Sequence, residues 1–281
     1  MGGESTRSDC RFSKLMMTAS IDISVDKKLL ILGGTADGRH LASALHASGC
    51  SIIYSVAGLV RIPDLACEVI SGGFTQFGGL SAYIRENNIQ AILDVTHPYA
   101  QKMSKSALKS AQQCMIPCWR FHRLAWQPEK DDHWQEFNAW PALVESLKDK
   151  KSVFLTAGQV PESVLETLQQ YGDQGQVQIL RTAVKPKEVL PASIQWHKAI
   201  GPFALEDELA LMQHHKVDVL VSKNSGGSST QAKLSAARTL GISVFMFTRP
   251  EILPADKEFI ERDQCQTFIE RWFKKEIEEQ A

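Results

Sequence analysis

The chain has 281 residues, with 31 Lys and Arg against 32 Asp and Glu, for a formal net charge of −1 at pH 7. So even a balance gives no bulk attraction to nucleic acid or an anionic membrane surface, and 43% hydrophobic with 22% charged residues is a globular composition, long enough for two domains. No apolar run approaches the ~18 residues of a membrane span, and six Cys without a C-x-x-C pair read as reduced thiols of a cytoplasmic protein.

Residues 1–26 are polar and mixed in charge and read as a disordered extension; the apolar patch at Leu15-Met16-Met17 is too short for a signal-peptide core. Order is expected from Lys28. Leu29-Leu30-Ile31-Leu32 runs into Gly33-Gly34, a polar turn and Gly38, and a helix follows with Leu41, Ala42 and Leu45 on one face. Strand, glycine turn and helix open a dinucleotide-binding βαβ unit. Glycine there lets a phosphate reach backbone N–H groups at the helix N-terminus. The fingerprint is G-x-G-x-x-G; here Thr35 replaces the second glycine and offers a hydroxyl instead. Gly33, Gly34, Thr35 and Gly38 are therefore the candidate diphosphate contacts, and a tight turn without ligand is the alternative.

Ser51 to Val56 is a second strand. NAD-binding units put an acid at its end for the ribose 2′-OH. Here the strand ends in Ser55 with Arg61 close behind, which favours a 2′-phosphate and so NADPH, with NADH the alternative. Glu68-Val69-Ile70 is a short strand running into a glycine-rich loop, and a helix with Leu80, Tyr83 and Ile84 on its apolar face follows. Ala91 to Val95 is a buried strand ending at Thr96-His97-Pro98-Tyr99. The next helix is expected to carry Tyr99, Met103, Ala107 and Ala111 at steps of four. Loops beyond strand C-termini line the crevice of an open α/β sheet, which makes His97 a candidate there, with Lys102 and Lys105 at the start of the following helix; a loop-locking hydrogen bond is the other reading of His97. Cys118 to Phe121 is a further strand. Cys114, Cys118 and His122 fit no common zinc spacing, and no metal is expected.

Residues 127–150 carry Pro128, a charged run and two Trp, and read as a junction. The plan then repeats: a strand over 152–156, a helix from Pro161, and a strand from Val177 to Thr182 with Arg181 at its end and Lys185 beyond. A helix with Glu206, Asp207 and Glu208 in its first turn precedes a strand from Val217 to Val221. That strand ends in Ser222-Lys223-Asn224-Ser225-Gly226-Gly227, ahead of a helix from about Thr230 to Leu240. Lysine, hydroxyls and glycines at a helix N-terminus make an anion cradle, or else a serine-capped loop. Ile242 to Phe247 reads as the last strand. Residues 256–280 read as one helix with Phe259, Ile260, Phe268, Ile269, Trp272 and Phe273 on one side. The expected fold is α/β: two Rossmann-like, doubly wound parallel-sheet domains over 27–126 and 151–250 with a cleft between them, and a segment 251–281 packing on a domain or partner.

Leu-Gly-Gly-Thr-x-x-Gly-Arg (32–39), Ser-Val-Ala-Gly (55–58), Gly-Gly-Phe (72–74), Asp-x-Thr-His-Pro-Tyr-Ala (94–100) and Ser-Lys-Asn-Ser-Gly-Gly (222–227) occur in this order. Together they resemble the precorrin-6A reductase family of cobalamin biosynthesis, from about Lys28 to Pro250. The resemblance implies reduction of one C=C bond of precorrin-6A, or of its cobalt form, by a nicotinamide cofactor to give precorrin-6B. It also implies a tetrapyrrole substrate with several acetate and propionate carboxylates, which separate basic contacts suit. On that reading the glycine turn holds the diphosphate, and Ser55 and Arg61 meet the adenosine ribose or its phosphate. His97, Tyr99 and Lys223 are the catalytic candidates, the proton coming from His97, Tyr99 or water. Lys223, Asn224, Ser225 and Gly226 face the cleft and bind the nicotinamide end or substrate carboxylates, and Arg181 and Lys185 add carboxylate contacts. A monomer or homodimer is expected. The absence of any Tyr-x-x-x-Lys pair argues against a short-chain dehydrogenase. A non-catalytic dinucleotide sensor and another two-domain tetrapyrrole enzyme are the remaining alternatives.

Overall fold

The computed structural model describes residues 27–57 and 62–278. The expected extension over 1–26 and the 2′-phosphate candidate Arg61 lie outside them. The first half lays down β1 (Lys28–Leu32), α1 (Ala36–Ala47), β2 (Ser51–Val56), β3 (Glu68–Ser71), α2 (Leu80–Glu86), β4 (Ala91–Asp94), α3 (Gln101–Cys114) and β5 (Cys118–Phe121). Next come β6 (Trp134–Phe137), α4 (Trp140–Glu145), β7 (Ser152–Leu155), α5 (Glu162–Asp173), β8 (Val177–Thr182) and β9 (Ile194–Lys198). The chain closes with α6 (Leu205–His214), β10 (Val219–Lys223), α7 (Ala232–Thr239), β11 (Ser243–Phe247), β12 (Lys257–Phe259) and α8 (Arg262–Glu278).

The strands form two six-stranded sheets, ordered β12-β5-β4-β1-β2-β3 and β6-β11-β10-β7-β8-β9. Every pairing is parallel. In each sheet the winding reverses beside the first strand of its unit, between β1 and β4 and between β7 and β10, as in doubly wound folds. Parallel strands buried on both faces need apolar residues at every position. The first sheet accordingly buries Leu29, Ile31 and Tyr54 on one side and Leu30, Ile53 and Ile92 on the other. The second does the same with Val153 and Leu155 against Phe154 and Leu220.

Two expectations fail at the sheet edges. Residues 127–150 are not a bare junction, because β6 pairs with β11 (Val244↔Trp134 to Phe247↔Phe137) and α4 follows it. Residues 256–280 are not one helix. Lys257, Glu258 and Phe259 pair with Trp119, Arg120 and Phe121 as a sixth strand of the first sheet, and α8 starts only at Arg262. Phe259 and Ile260 therefore precede the helix. Its apolar face rests on the first domain, where the Trp119 ring meets Phe268 at 5.0 Å and Trp272 at 5.2 Å between centroids. The chain thus crosses between lobes twice. Arg249, in the second crossing, donates to the carbonyls of Arg123 (2.7 Å) and Leu124 (3.1 Å) in the first. Among the described residues no helix is long and apolar enough to cross a membrane.

Candidate active site

The glycine turn lies at the switch point of the first sheet. Thr35 caps α1, its hydroxyl accepting the Gly38 N–H at 3.0 Å and donating to the Val95 carbonyl at 2.9 Å. That hydroxyl ties α1 to the end of β4 and is turned inward. The residue behind the turn is Tyr54, fully buried on β2, whose hydroxyl accepts the Gly34 N–H at 3.0 Å. A Cβ on Gly33 would overlap the Tyr54 ring, so this glycine is required by packing. Gly34 has φ +112° and open space where a Cβ would stand. That leaves room for a phosphate beside the turn, with the Gly34 N–H itself on Tyr54, and the first N–H groups of a helix have no intrahelical acceptor. Ser55 is buried; its carbonyl takes the Gly33 N–H at 2.8 Å. Tyr54 went unnoticed in the sequence because a strand tyrosine reads as core; its signal is a hydroxyl with no water to satisfy it.

His97, Tyr99, Lys223 and the crossing segments meet where the lobes face each other. Tyr99 stands before α3, not on it, and packs on the second core. Its hydroxyl donates to the Phe247 carbonyl at 2.5 Å and accepts the Asn224 N–H at 2.9 Å. Burial pushes this phenol up to about 12. With its proton engaged on Phe247, Tyr99 clasps the two domains together. The His97 imidazole is lowered to about 4, first by enclosure and then by Lys223, Arg123, Arg249 and Lys233. One side of the residue stays open to the cleft, but the four cations act in the same direction as enclosure. It is neutral at pH 7 and a poor general acid. Lys223 ends β10 half-buried, its Nζ 5.2 Å from the Tyr99 ring centroid, and burial lowers its pKa. A Cβ on Gly158 would come within 3.7 Å of that Nζ.

The other second-domain candidates turn out to be locks. The Asn224 amide holds the Trp126 backbone in both directions, at 2.8 and 2.9 Å. Ser225 is buried, its Oγ 3.5 Å from Thr230 Oγ1. Gly226 has φ +69°, and a Cβ there would overlap the Leu124 carbonyl. The expected anion cradle is thus filled by the first crossing segment. Arg181 is 9% exposed, sits 3.9 Å from the Phe203 ring centroid, and forks onto Glu208 at 2.6 and 3.1 Å. Its guanidinium is engaged inside the domain by that pair. Lys185 remains exposed beyond β8. Lys233, missed in the sequence, lies in the first turn of α7, 5% exposed and 5.6 Å from the Trp126 ring centroid. Burial and Arg181 lower it to about 7 against an opposing effect of Glu208. Next to His97 a cavity of about 260 Å³ opens over β4, β5 and β12, lined among others by Asp94, Ser104, Arg120, His122, Arg249 and Glu258.

An open glycine turn at the switch point of a doubly wound sheet, facing a cleft rich in cations, puts the chain among two-domain dinucleotide-binding α/β enzymes. The family model of the precorrin-6x reductases, CbiJ/CobK, matches residues 28–270. Precorrin-6A reductase of Rhodococcus erythropolis is 39% identical over 232 residues, 81% of this chain and 91% of that protein. Cobalt-precorrin-6A reductase of Priestia megaterium is 28% identical over 234 residues, 80% of this chain and 91% of its own. A solved structure of CobK precorrin-6A reductase superposes with TM-score 0.76 at 29% identity, covering 86% of this chain and 96% of that one. The chain belongs to the precorrin-6x reductase family, and with it to the oxidoreductases of cobalamin biosynthesis.

Proposed function

We propose that the protein reduces one C=C bond of precorrin-6A to give precorrin-6B, with NADPH as the reductant. The observation that carries this reading is that the glycine turn and the cationic cleft share one sheet edge, joined by the hydrogen bond from Thr35 to the Val95 carbonyl. The residues suit a dinucleotide: Gly34 leaves room for a phosphate, and Arg120 keeps a buried nitrogen without an acceptor among the described residues, beside the cleft. Bound there, the nicotinamide supplies a hydride. Lys223 acts most strongly of the four cations on His97 and makes no ion pair among the described residues, which suits a carboxylate of the ring; Lys233 is buried, Arg249 is held by backbone carbonyls and Arg123 pairs with Asp37. Neutral His97 holds the substrate by hydrogen bonding, and Tyr99 fixes the distance between lobes. Lys223 delivers the proton, since it alone of the three catalytic candidates combines a transferable proton with access to the cleft. Holding donor and acceptor in one cleft brings them within reach and excludes water.

NADPH is favoured over NADH because β2 ends in Ser55 and Val56 with no acid for a ribose 2′-OH. The metal-free substrate is favoured because identity to relatives named precorrin-6A reductase, 39% and 35%, exceeds the 28% and 24% to those named for the cobalt form. The test is an anaerobic absorbance assay of purified protein with precorrin-6A and its cobalt form, each with NADPH and NADH. Tetrapyrrole-dependent NADPH oxidation is expected, faster with the metal-free substrate. Cofactor binding without turnover of either substrate would replace this reading by that of a dinucleotide sensor.

A further inference from the structure

Asp94, Arg120 and Glu258 stand side by side on β4, β5 and β12, through the registers Asp94↔Arg120 and Glu258↔Arg120. The Arg120 guanidinium donates Nε to Asp94 Oδ2 at 3.2 Å and Nη1 to Glu258 Oε1 and the Leu253 carbonyl, each at 2.9 Å. Its Nη2 is buried and has no acceptor among the described residues, on a residue 4% exposed. A buried guanidinium nitrogen without a partner is costly, and a ligand atom would relieve it. Arg120 lines the cavity beside His97, so such an atom has somewhere to come from.

The charges of that cavity decide what enters. Two guanidiniums, Arg120 and Arg249, face two carboxylates, Asp94 and Glu258, and the formal charges cancel. A substrate carboxylate placed there would meet both acids at close range in a partly desolvated space. An uncharged amide meets no such opposition. Its carbonyl accepts from Nη2, and its N–H donates to a carboxylate oxygen with a lone pair to spare. Asp94 Oδ1 is already taken by the Thr96 N–H at 3.1 Å and the Thr96 hydroxyl at 2.7 Å, which leaves Asp94 Oδ2 and Glu258 Oε2. Position agrees. A dinucleotide with its diphosphate at the β1–α1 turn sends one nucleoside over β2 and the other over β4, and the cavity lies on the β4 side.

We propose that this cavity takes the carboxamide of the nicotinamide, with Arg120 Nη2 donating to the amide oxygen and Asp94 or Glu258 accepting from the amide nitrogen. This rests on the reading of the protein as a nicotinamide-dependent reductase. Strand β12, carrying Glu258, thereby completes the cofactor site, so the last strand in the chain serves a turn formed by the first.

Calorimetric titration separates the contributions without any turnover. The ligands are NADPH, its reduced 3-acetylpyridine analogue (methyl ketone in place of amide), and 2′-phospho-ADP-ribose, which has no ring. For the wild-type chain the analogue binds about tenfold more weakly than NADPH, as expected for one lost charge-assisted hydrogen bond. Arg120→Lys and the milder Glu258→Gln lower NADPH affinity by a similar factor and leave 2′-phospho-ADP-ribose unchanged. Equal binding of NADPH and the analogue, or parallel loss of NADPH and the ringless fragment in the variants, overturns the proposal alone. Failure of all three ligands to bind the wild-type chain overturns the reductase reading and this proposal with it.

Discussion

Arg181 shows how a residue of the right chemistry ends up in the wrong place for a ligand. At the end of a strand beside a cleft, an arginine suits a polycarboxylate; in the fold it closes a buried pair with Glu208, itself 1% exposed. Removing one member of such a pair strands the other charge. Arg181→Ala should therefore lose about 3–5 kcal/mol of stability in urea unfolding, with the KM for the tetrapyrrole unchanged in the folded fraction. A raised KM at unchanged stability would return Arg181 to the binding site. Lys223 should behave in the opposite way. Lys223→Met removes a half-buried ammonium that makes no ion pair among the described residues. Its kcat should drop by about 10²-fold or more, with the melting temperature and NADPH affinity little changed. Single-turnover kinetics would show it, and an unaltered rate would take Lys223 out of the proton path.

Strands that are buried on both faces announced themselves, because Leu29 to Leu32 and Ala91 to Asp94 are apolar at almost every position and admit no other environment. The edge strands did not. β6 and β9 bury only an end residue each, Phe137 and Ile194, and leave their middles exposed. β12 is three residues long, and its Phe259 shares spacing with the apolar face of α8. A period can be read over four turns of helix and not over three residues of strand. The start of α7 was equally opaque, since a lysine in a first turn reads as solvated. Lys233 is instead buried and held near 7, well below the ~10.4 of an unfolded chain. Between those values the unfolded chain binds the extra proton, so this group makes stability rise with pH over that window. Its full penalty is present below about pH 7. Lys233→Met should accordingly stabilise the protein most at pH 6, with the gain shrinking towards pH 10. Denaturant melts across that range measure it, and a gain independent of pH would mean the ammonium is solvated.

The two-lobed plan was legible from its repetition of strand and helix, but the exchange of edge strands between the halves was not. Pattern reading works along the chain, whereas the partners of β12 are fixed by what it touches more than 130 residues away, as in Arg120 with Glu258. The candidate site suffered the same way. Gly33, Gly34 and Gly38 were readable as a turn because strand, glycines and helix follow one another within a dozen residues of chain. The roles of Asn224, Gly226 and Tyr99 depend on two crossing segments that meet only in three dimensions. The exchange also dictates a mechanical consequence. Deleting residues 255–281 removes no part of either sheet's first five strands in chain order, so a chain-order view expects a loosened tail. In the fold the deletion strips Phe268 and Trp272 from Trp119, otherwise 4% exposed. It also removes the Phe259 carbonyl that accepts the His122 N–H at 2.9 Å and the Asp256 carboxylate that accepts the Cys118 N–H at 2.7 Å. Each large apolar side chain so uncovered is worth ~1.5–3 kcal/mol, and a domain has ~5–15 kcal/mol in all. The truncated chain should therefore lose protection in β1, β4 and β5, while β7, β10 and β11 keep theirs. Hydrogen exchange resolved by peptide reports both sheets in one experiment. Uniform loss across the two sheets would mean that the lobes fold as one unit, and full protection throughout would mean that the sixth strand adds nothing to the first sheet.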